Sequence, residues 1–315
     1  MKYFQFILFL LPLCFIACGP ETIPVLVQTS YKENILPLQD ITFINDSVGY
    51  AIGGHTWNTG IILSTHDAGL TWKTDTTFIP ALLSITKWGD SMVIAVGYSG
   101  NLFINKHNKG WYGVRVFNWS EFQEIAVTPD QDMFISTGSS FHGGQIIHLD
   151  KWFNIDTIYQ TDNEIKSIAN TNQKDMVAVG YGAIFNSSDK GKTWKRNRQD
   201  GDYYQKVVFT TEKTGYTVGF AGSILKTHDG GISWQQLKRS KNHSFGNEPF
   251  LDVVCKNENT IYVCGQHGTL WKSEDGGENW KQFEIFTDDH LTGIDITGNL
   301  IWLSSSSGKI YKVID

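Results

Sequence analysis

From residue 38 to the end, apolar and polar positions alternate in short runs broken by Gly, Asn and Asp. The first runs are ITFIN (41–45), GYAIGG (49–54), IILST (61–65) and TWKTD (71–75), and VVFTT (207–211), GYTVGF (215–220), SILKT (223–227) and SWQQL (233–237) repeat them. A period of two bounded by turn residues predicts strands. No stretch places apolar residues at helical spacing, so the chain reads as all-β.

The strands recur in sets. Aligned on the Gly that opens each third strand, the pieces include TGIILSTHDAGLTW, YGAIFNSSDKGKTW, AGSILKTHDGGISW and HGTLWKSEDGGENW. The Asp position of this alignment falls at 67, 107, 151, 189, 229, 275 and 315, so the spacing stays between 38 and 46 residues. Asp is present at Asp67, Asp189, Asp229 and Asp275, with His107 and Lys151 in the second and third copies. Four strands at a period near 40 predict the blades of a β-propeller. The seventh copy stops at Asp315, before its fourth strand, while IPVLVQTS (23–30) precedes the first blade. Pairing that segment into blade seven closes the ring and covers two sheet edges that would otherwise recruit other chains. The expectation is a seven-bladed propeller over 22–315, its last blade completed by the N-terminal strand.

Ahead of it, Lys2 and the apolar run FILFLLPLCFIA lead to Cys18-Gly19. This resembles a bacterial lipoprotein signal over 1–17, with Cys18 as the lipidated residue and 18–21 as a short tether. It implies a membrane-attached envelope protein, at the outer membrane, in the periplasm or on the surface. Cys14 leaves with the signal. A hairpin register pairing Cys255 with Thr260 and Cys264 with Leu251 holds the remaining two thiols about four residues apart, roughly 13 Å at 3.4 Å per residue. That is beyond the reach of a disulfide, so both are expected to be free and buried. A net charge of −6 with no long basic run argues against nucleic-acid binding. A monomer without cofactor or metal is expected.

The repeated box has a physical role. Gly69, Gly191, Gly231 and Gly277 can take positive φ, and the Asp can accept turn N–H groups, helped by a Ser or Thr about three residues earlier. Trp72, Trp194, Trp234 and Trp280 fold inward. Burying such a ring removes about 150–250 Å² from water, worth roughly 4–6 kcal/mol at most, against about 1 kcal/mol for a turn hydrogen bond. These motifs resemble the Asp-box (BNR) repeat of the sialidase superfamily and of sortilin-type propellers. The phrase LQDITFINDSVGYAIGG…STHDAGLTW is more similar to photosystem II assembly-factor-like propellers. That resemblance implies a seven-bladed, non-enzymatic, chaperone-like scaffold, lipidated in some bacteria. That family carries an arginine-rich patch, whereas this chain has only Arg115, Arg196, Arg198 and Arg239. The resemblance therefore implies the scaffold role without the photosystem client. The same four arginines, all on outermost strands or just beyond, cannot form the three-arginine clamp that a sialidase needs at its axis.

Two surfaces remain for function. The innermost strands begin at aligned positions Asp40, Ser84, Glu124, Ser167, Lys206, Asp252 and Gly293, a ring expected at the channel mouth opposite the boxes. Asp40, Glu124 and Asp252 there could serve acid–base chemistry in a carbohydrate-active hydrolase, or simply solvate a wet channel. The loops from second to third strand lie on that face and carry His55, Trp57, Tyr98, Phe141, His142, Tyr181, Phe220 and His267. Aromatic side chains on a rigid rim suit recognition of a protein or a glycan. The histidines come from separate blades and do not share a metal site. A basic cluster of Lys190, Lys192, Lys195, Arg196 and Arg198, with Lys238, Arg239 and Lys241, reads as solvated outer strand.

Overall fold

The computed structural model describes residues 22–31, 36–55, 59–89, 91–106, 109–116, 120–172, 175–197, 202–237 and 247–315. The expected signal, tether and lipidated Cys18 lie outside these residues, as do Cys14, Trp57, His107, Arg198, Lys238, Arg239 and Lys241.

The repeats fold as predicted into seven sheets arranged as propeller blades, whose repeat strands pair antiparallel and run outward from the innermost strand in chain order, with the N-terminal segment added at the outer edges of blades 6 and 7. The innermost strands are Leu38–Phe43, Leu82–Trp88, Phe122–Val127, Ile165–Asn170, Tyr204–Phe209, Phe250–Cys255 and Leu291–Thr297. Helical geometry is confined, among the described residues, to the three-residue turns Tyr98–Gly100 and Gln266–Gly268.

Second strands such as Gly49–Gly53 and Met176–Gly180 are buried at every position and do not alternate, for a simple reason. A blade is sandwiched between two others, so its inner strands must be apolar on both faces. In Gly49–Gly53, Tyr50 and Ile52 pack toward blade 2 while Ala51 packs toward blade 7. The core accordingly divides into seven apolar clusters, one at each junction between neighbouring blades.

Closure is more extensive than predicted. Leu26–Tyr31 pairs antiparallel with Ile310–Ile314 and completes blade 7 as expected. Ile23 does not join it. Thr22–Ile23 instead lies parallel to the outermost strand of blade 6, Lys281–Phe283. Ser30 then reaches blade 1: its Oγ donates to the carbonyl of Gly69 and accepts the indole N–H of Trp72 at 3.1 Å. Ten residues therefore bind three blades together.

The Asp turns are built alike, with one correction to the expected hydroxyl. It stands two residues before the Asp, not three: Thr65, Ser187, Thr227 and Ser273 donate to Asp67, Asp189, Asp229 and Asp275 and accept from the turn glycine N–H at 2.8–2.9 Å. Each Asp also clamps the residue four positions on, for example Thr71, through backbone and side chain together. The third copy keeps this clamp from one position earlier. Asp150 accepts from the Asn154 backbone at 2.9 Å and from its side chain at 3.0 Å, so Lys151 marks a displaced Asp and not a lost one. Trp72 and Trp280 are buried, but Trp194 and Trp234 only half-buried. The advantage of the Trp over the Asp is accordingly smaller in blades 4 and 5.

Cys255 and Cys264 are free as expected, in a different register. They oppose Ile261 and Asp252, because the connecting turn closes with the Lys256 N–H on the Thr260 carbonyl. Cys264 is buried and Cys255 half-buried, and burial pushes the Cys255 thiol up to about 12.

Candidate functional site

All seven innermost strands start with the same irregularity. The register slips by one residue just before Asp40, Ser84, Glu124, Ser167, Lys206, Asp252 and Gly293. A bulge leaves one residue unpaired and re-aims its neighbours. Here it turns two consecutive positions toward the axis in five of the blades, and one, Lys166 or Thr292, in blades 4 and 7. The resulting cavity, about 150 Å³, is lined by Asp40, Ser84, Glu124, Lys206 and Asp252 and by bulge residues such as Gln123 and Lys166.

The predicted carboxylates meet there, but each is already engaged. Asp40 accepts the N–H of Ile41 at 2.8 Å and that of Ile85 in blade 2 at 3.0 Å. Asp252 does the same for Val253 and for Ile294 in blade 7. Glu124 accepts from Ile168 in blade 4, and Ser167 from Val207 in blade 5. The ring thus stitches neighbouring inner strands together. Gly293 is where no side chain fits: a Cβ would stand 2.8 Å from the Ser304 hydroxyl and 2.9 Å from the Asp40 Cα. Across the axis, Lys206 donates to Glu124. Burial pushes Asp40 up to about 7, with Lys206 pulling down and Asp252 pushing up. Burial likewise raises Asp252 to about 6 against the pull of Lys206. Burial lowers Lys166, opposed by Glu164 and Glu121.

The rim residues do not form one continuous site. Phe141 and Tyr181, from blades 3 and 4, come together with ring centroids 4.9 Å apart. Tyr203 joins them at 5.4 and 5.9 Å. Phe220 is exposed on the adjoining loop, whose N–H is held by the Tyr203 carbonyl. Beneath the cluster, Glu164 is buried and accepts the Phe141 N–H at 2.8 Å. Burial and the adjacent Glu164 raise the Tyr203 phenol. His142 is exposed beside this cluster. His55, Tyr98 and His267 stand on blades 1, 2 and 6; His55 and His267 are exposed, and Tyr98 is half-buried. His267 packs instead on His290, centroids 5.0 Å apart.

The platform is held under strain. Ser140 and Phe141 both have left-handed backbone, at φ 53 and 73. That region costs a non-glycine residue on the order of 1–3 kcal/mol, and such outliers concentrate at functional surfaces. Glu164, Tyr203 and His290 were not anticipated, yet a signal for them exists. They stand three residues before Ser167, Lys206 and Gly293, so extending the blade alignment upstream finds them as a second ring, with Glu121 in blade 3. The carbonyls of Ala81, Glu164, Tyr203 and His290 at this position anchor the rim loops, accepting from Tyr98, Tyr181, Phe220 and Ser306. The arginines fall where expected: Arg115 and Arg196 lie on outermost strands, away from the axis.

Comparison with known proteins places this arrangement among propellers. No family model matches the chain. Curated relatives include the photosystem II assembly lipoprotein Ycf48 of Nostoc sp. and of Trichormus variabilis, each 21% identical over 198 residues. The match covers 57% of this chain and 56% of each relative, so the chain spans little more than half the length of the curated relatives it matches. Among solved structures, YCF48 bound to D1 peptide superposes with a TM-score of 0.73 at 16% identity, covering 94% of this chain and 98% of that one. YCF48 from Cyanidioschyzon merolae gives 0.69 at 14%, covering 91% and 98%. The WD40 β-propeller domain of Doa1 gives 0.67 at 13%, covering 91% and 96%. At these identities the structural likeness speaks for the fold.

Proposed function

We propose that this propeller is a non-enzymatic scaffold of the bacterial cell envelope, lipid-anchored through Cys18, that holds a protein partner on the rim of blades 3 to 5. The observation that carries this reading is the exposed pair Phe141 and Tyr181 packed on the half-buried Tyr203, supported from below by Glu164 and kept in place at a cost in backbone strain. Rigid aromatic side chains beside a polar channel mouth are the composition of interface anchors. The weak similarity to Ycf48 assembly lipoproteins, and the solved complex of YCF48 with a D1 peptide, agree with a protein partner. The axial carboxylates accept backbone N–H groups of adjacent blades, which gives them a part in ring closure in place of the hydrolytic role considered from sequence.

Replacing Phe141 and Tyr181 by Ala together should weaken partner capture at least about tenfold, since each anchor residue of this kind carries on the order of 1–2 kcal/mol. The measurement is co-purification of envelope proteins with the tagged chain. Unchanged yields of the same partners in the double variant would overturn the proposal.

A further inference from the structure

Among the described residues, the four most exposed large apolar side chains are Trp152 at 73%, Ile232 at 71%, Leu70 at 70% and Leu26 at 67%. They belong to four different blades, and all four lie at one end of the propeller. Leu70 and Ile232 occupy the same position of the Asp turns in blades 1 and 5, three residues after Asp67 and Asp229. Trp152 sits in the Asp150 turn of blade 3. Leu26 pairs directly with Ile314, the last residue before the Asp315 turn position in blade 7, and Ile314 is exposed as well. Blades 1, 3, 5 and 7 thus each present an apolar side chain on the face opposite the rim. Charges of both signs stand among them: Lys192 and Glu278 occupy the corresponding turn position in blades 4 and 6, and the Lys151 ammonium lies 5.6 Å from the centroid of the Trp152 ring.

The N-terminal end of the described chain bears on the same face. Thr22–Ile23 runs parallel to Lys281–Phe283, which leads away from the Asp275 turn. Thr22 is therefore the end of this strand nearer the Asp-turn face. Thr22 stands four positions after Cys18, a reach of at most about 14 Å when fully extended.

We propose that the Asp-turn face is a membrane-contacting surface that lies against a lipid bilayer, with Leu26, Leu70, Trp152 and Ile232 entering the headgroup region and the rim turned away from it. Apolar side chains interspersed with Trp and Lys are the composition that settles at a bilayer interface. With Cys18 lipidated, so short a tether would keep the propeller against the surface, and Thr22 lies toward this face. The inference rests on the lipid-anchor reading of Cys18 and is independent of which partner the rim binds.

The test uses the full acylated chain reconstituted in phosphatidylethanolamine–phosphatidylglycerol vesicles, in a Cys255→Ala background. An environment-sensitive fluorophore is attached at Leu70→Cys, Ile232→Cys, Phe141→Cys or Phe220→Cys in turn, after thermal unfolding confirms that each variant folds. Probes at 70 and 232 should shift to the blue on vesicles and lose emission to a nitroxide carried at headgroup depth, while probes at 141 and 220 keep their aqueous spectra. Probes at 70 and 232 that stay as wet as those on the rim overturn the proposal, as does protection of the rim probes in their place. Protection at 70 and 232 in a Cys18→Ser chain in plain buffer, without vesicles or detergent, would assign the face to a second copy of the chain and overturn it too. A chain that fails to float with vesicles, with Cys18 unmodified by mass spectrometry, refutes the anchor reading and this proposal with it. The rim reading is judged separately, by partner capture.

Discussion

Gly69 and Gly143 have nearly the same backbone, at φ 70 and 65, but different surroundings. A Cβ on Gly143 would meet nothing within 4 Å, whereas one on Gly69 would stand 2.2 Å from the Trp302 ring of the neighbouring blade. The same holds for Gly191 against Phe134 and Gly231 against Val177. The turn glycine is therefore both a backbone device and an interblade contact. Gly143→Ala should cost about 1 kcal/mol, from the left-handed conformation alone. Gly69→Ala adds overpacking and should cost roughly 2–4 kcal/mol, a difference that thermal unfolding of the two variants reads directly. The conformational requirement was legible in the Asp-x-Gly spacing. The interblade contact was not, because it depends on which side chain the next blade presents. The Ser or Thr two residues before the Asp and the acceptor-bound residue four after it were also present in every box, but only hydrogen-bond geometry separates them from other turn hydroxyls.

At the scale of elements, the N-terminal segment does most to define the ring. It supplies the outermost strand of blade 7, extends blade 6 and reaches blade 1 through Ser30. Ser30→Ala leaves the Trp72 indole N–H without its partner, and an unsatisfied donor of this kind costs about 1–3 kcal/mol. Trp194→Phe and Trp234→Phe, where the indole donates within its own turn to Gly191 and Gly231, provide the comparison. If closure through blade 1 matters, Ser30→Ala should lower the melting temperature and increase proteolysis within 22–31, whereas the two Trp variants lower it without exposing that segment. Counting strands in the sequence found the closure, since a blade ending at Asp315 lacks one. It could not show that Ile23 belongs to a different sheet from Leu26, since both lie in one apolar run. The rim was legible in part for a similar reason. Phe141, Tyr181 and Phe220 stood in aligned loops, while Tyr203 and Glu164 stood in the connection between blades, where no strand pattern drew attention to them.

At the scale of the whole molecule, two groups of carboxylates oppose one another with pH. Burial raises Asp40 to about 7 and Asp252 to about 6, from an ordinary value of 3.8. Between the ordinary and the raised values the folded chain holds protons that the unfolded chain has released, so this contribution to stability is fully present below about pH 4 and is lost progressively until pH has passed 6 to 7. The turn carboxylates act in the opposite sense. Hydrogen bonds from Thr71 hold Asp67 down to about 2, and those from Thr193 lower Asp189. Their contribution is present above the ordinary carboxylate value and is lost as pH falls below it. Thermal stability should therefore be greatest near pH 4 and fall by at least about 2 °C toward pH 8. Asp40→Asn should be less stable at pH 5, where one acceptor for Ile41 or Ile85 is gone, and should show a flatter slope from pH 5 to 8.

The staple across blades 6, 7 and 1 also sets an order of events. Leu26 is among the first residues of the propeller to be synthesised, and its partner Ile314 is among the last. Blades 1 to 6 can each form from neighbouring stretches of chain, but the ring cannot shut until nearly the whole chain has emerged. Loop closure over that separation is entropically slow. Through that interval the N-terminal strand stays unpaired and the edges of blades 6 and 7 stay open, so the finishing step of folding is the one most exposed to aggregation and to chaperone capture.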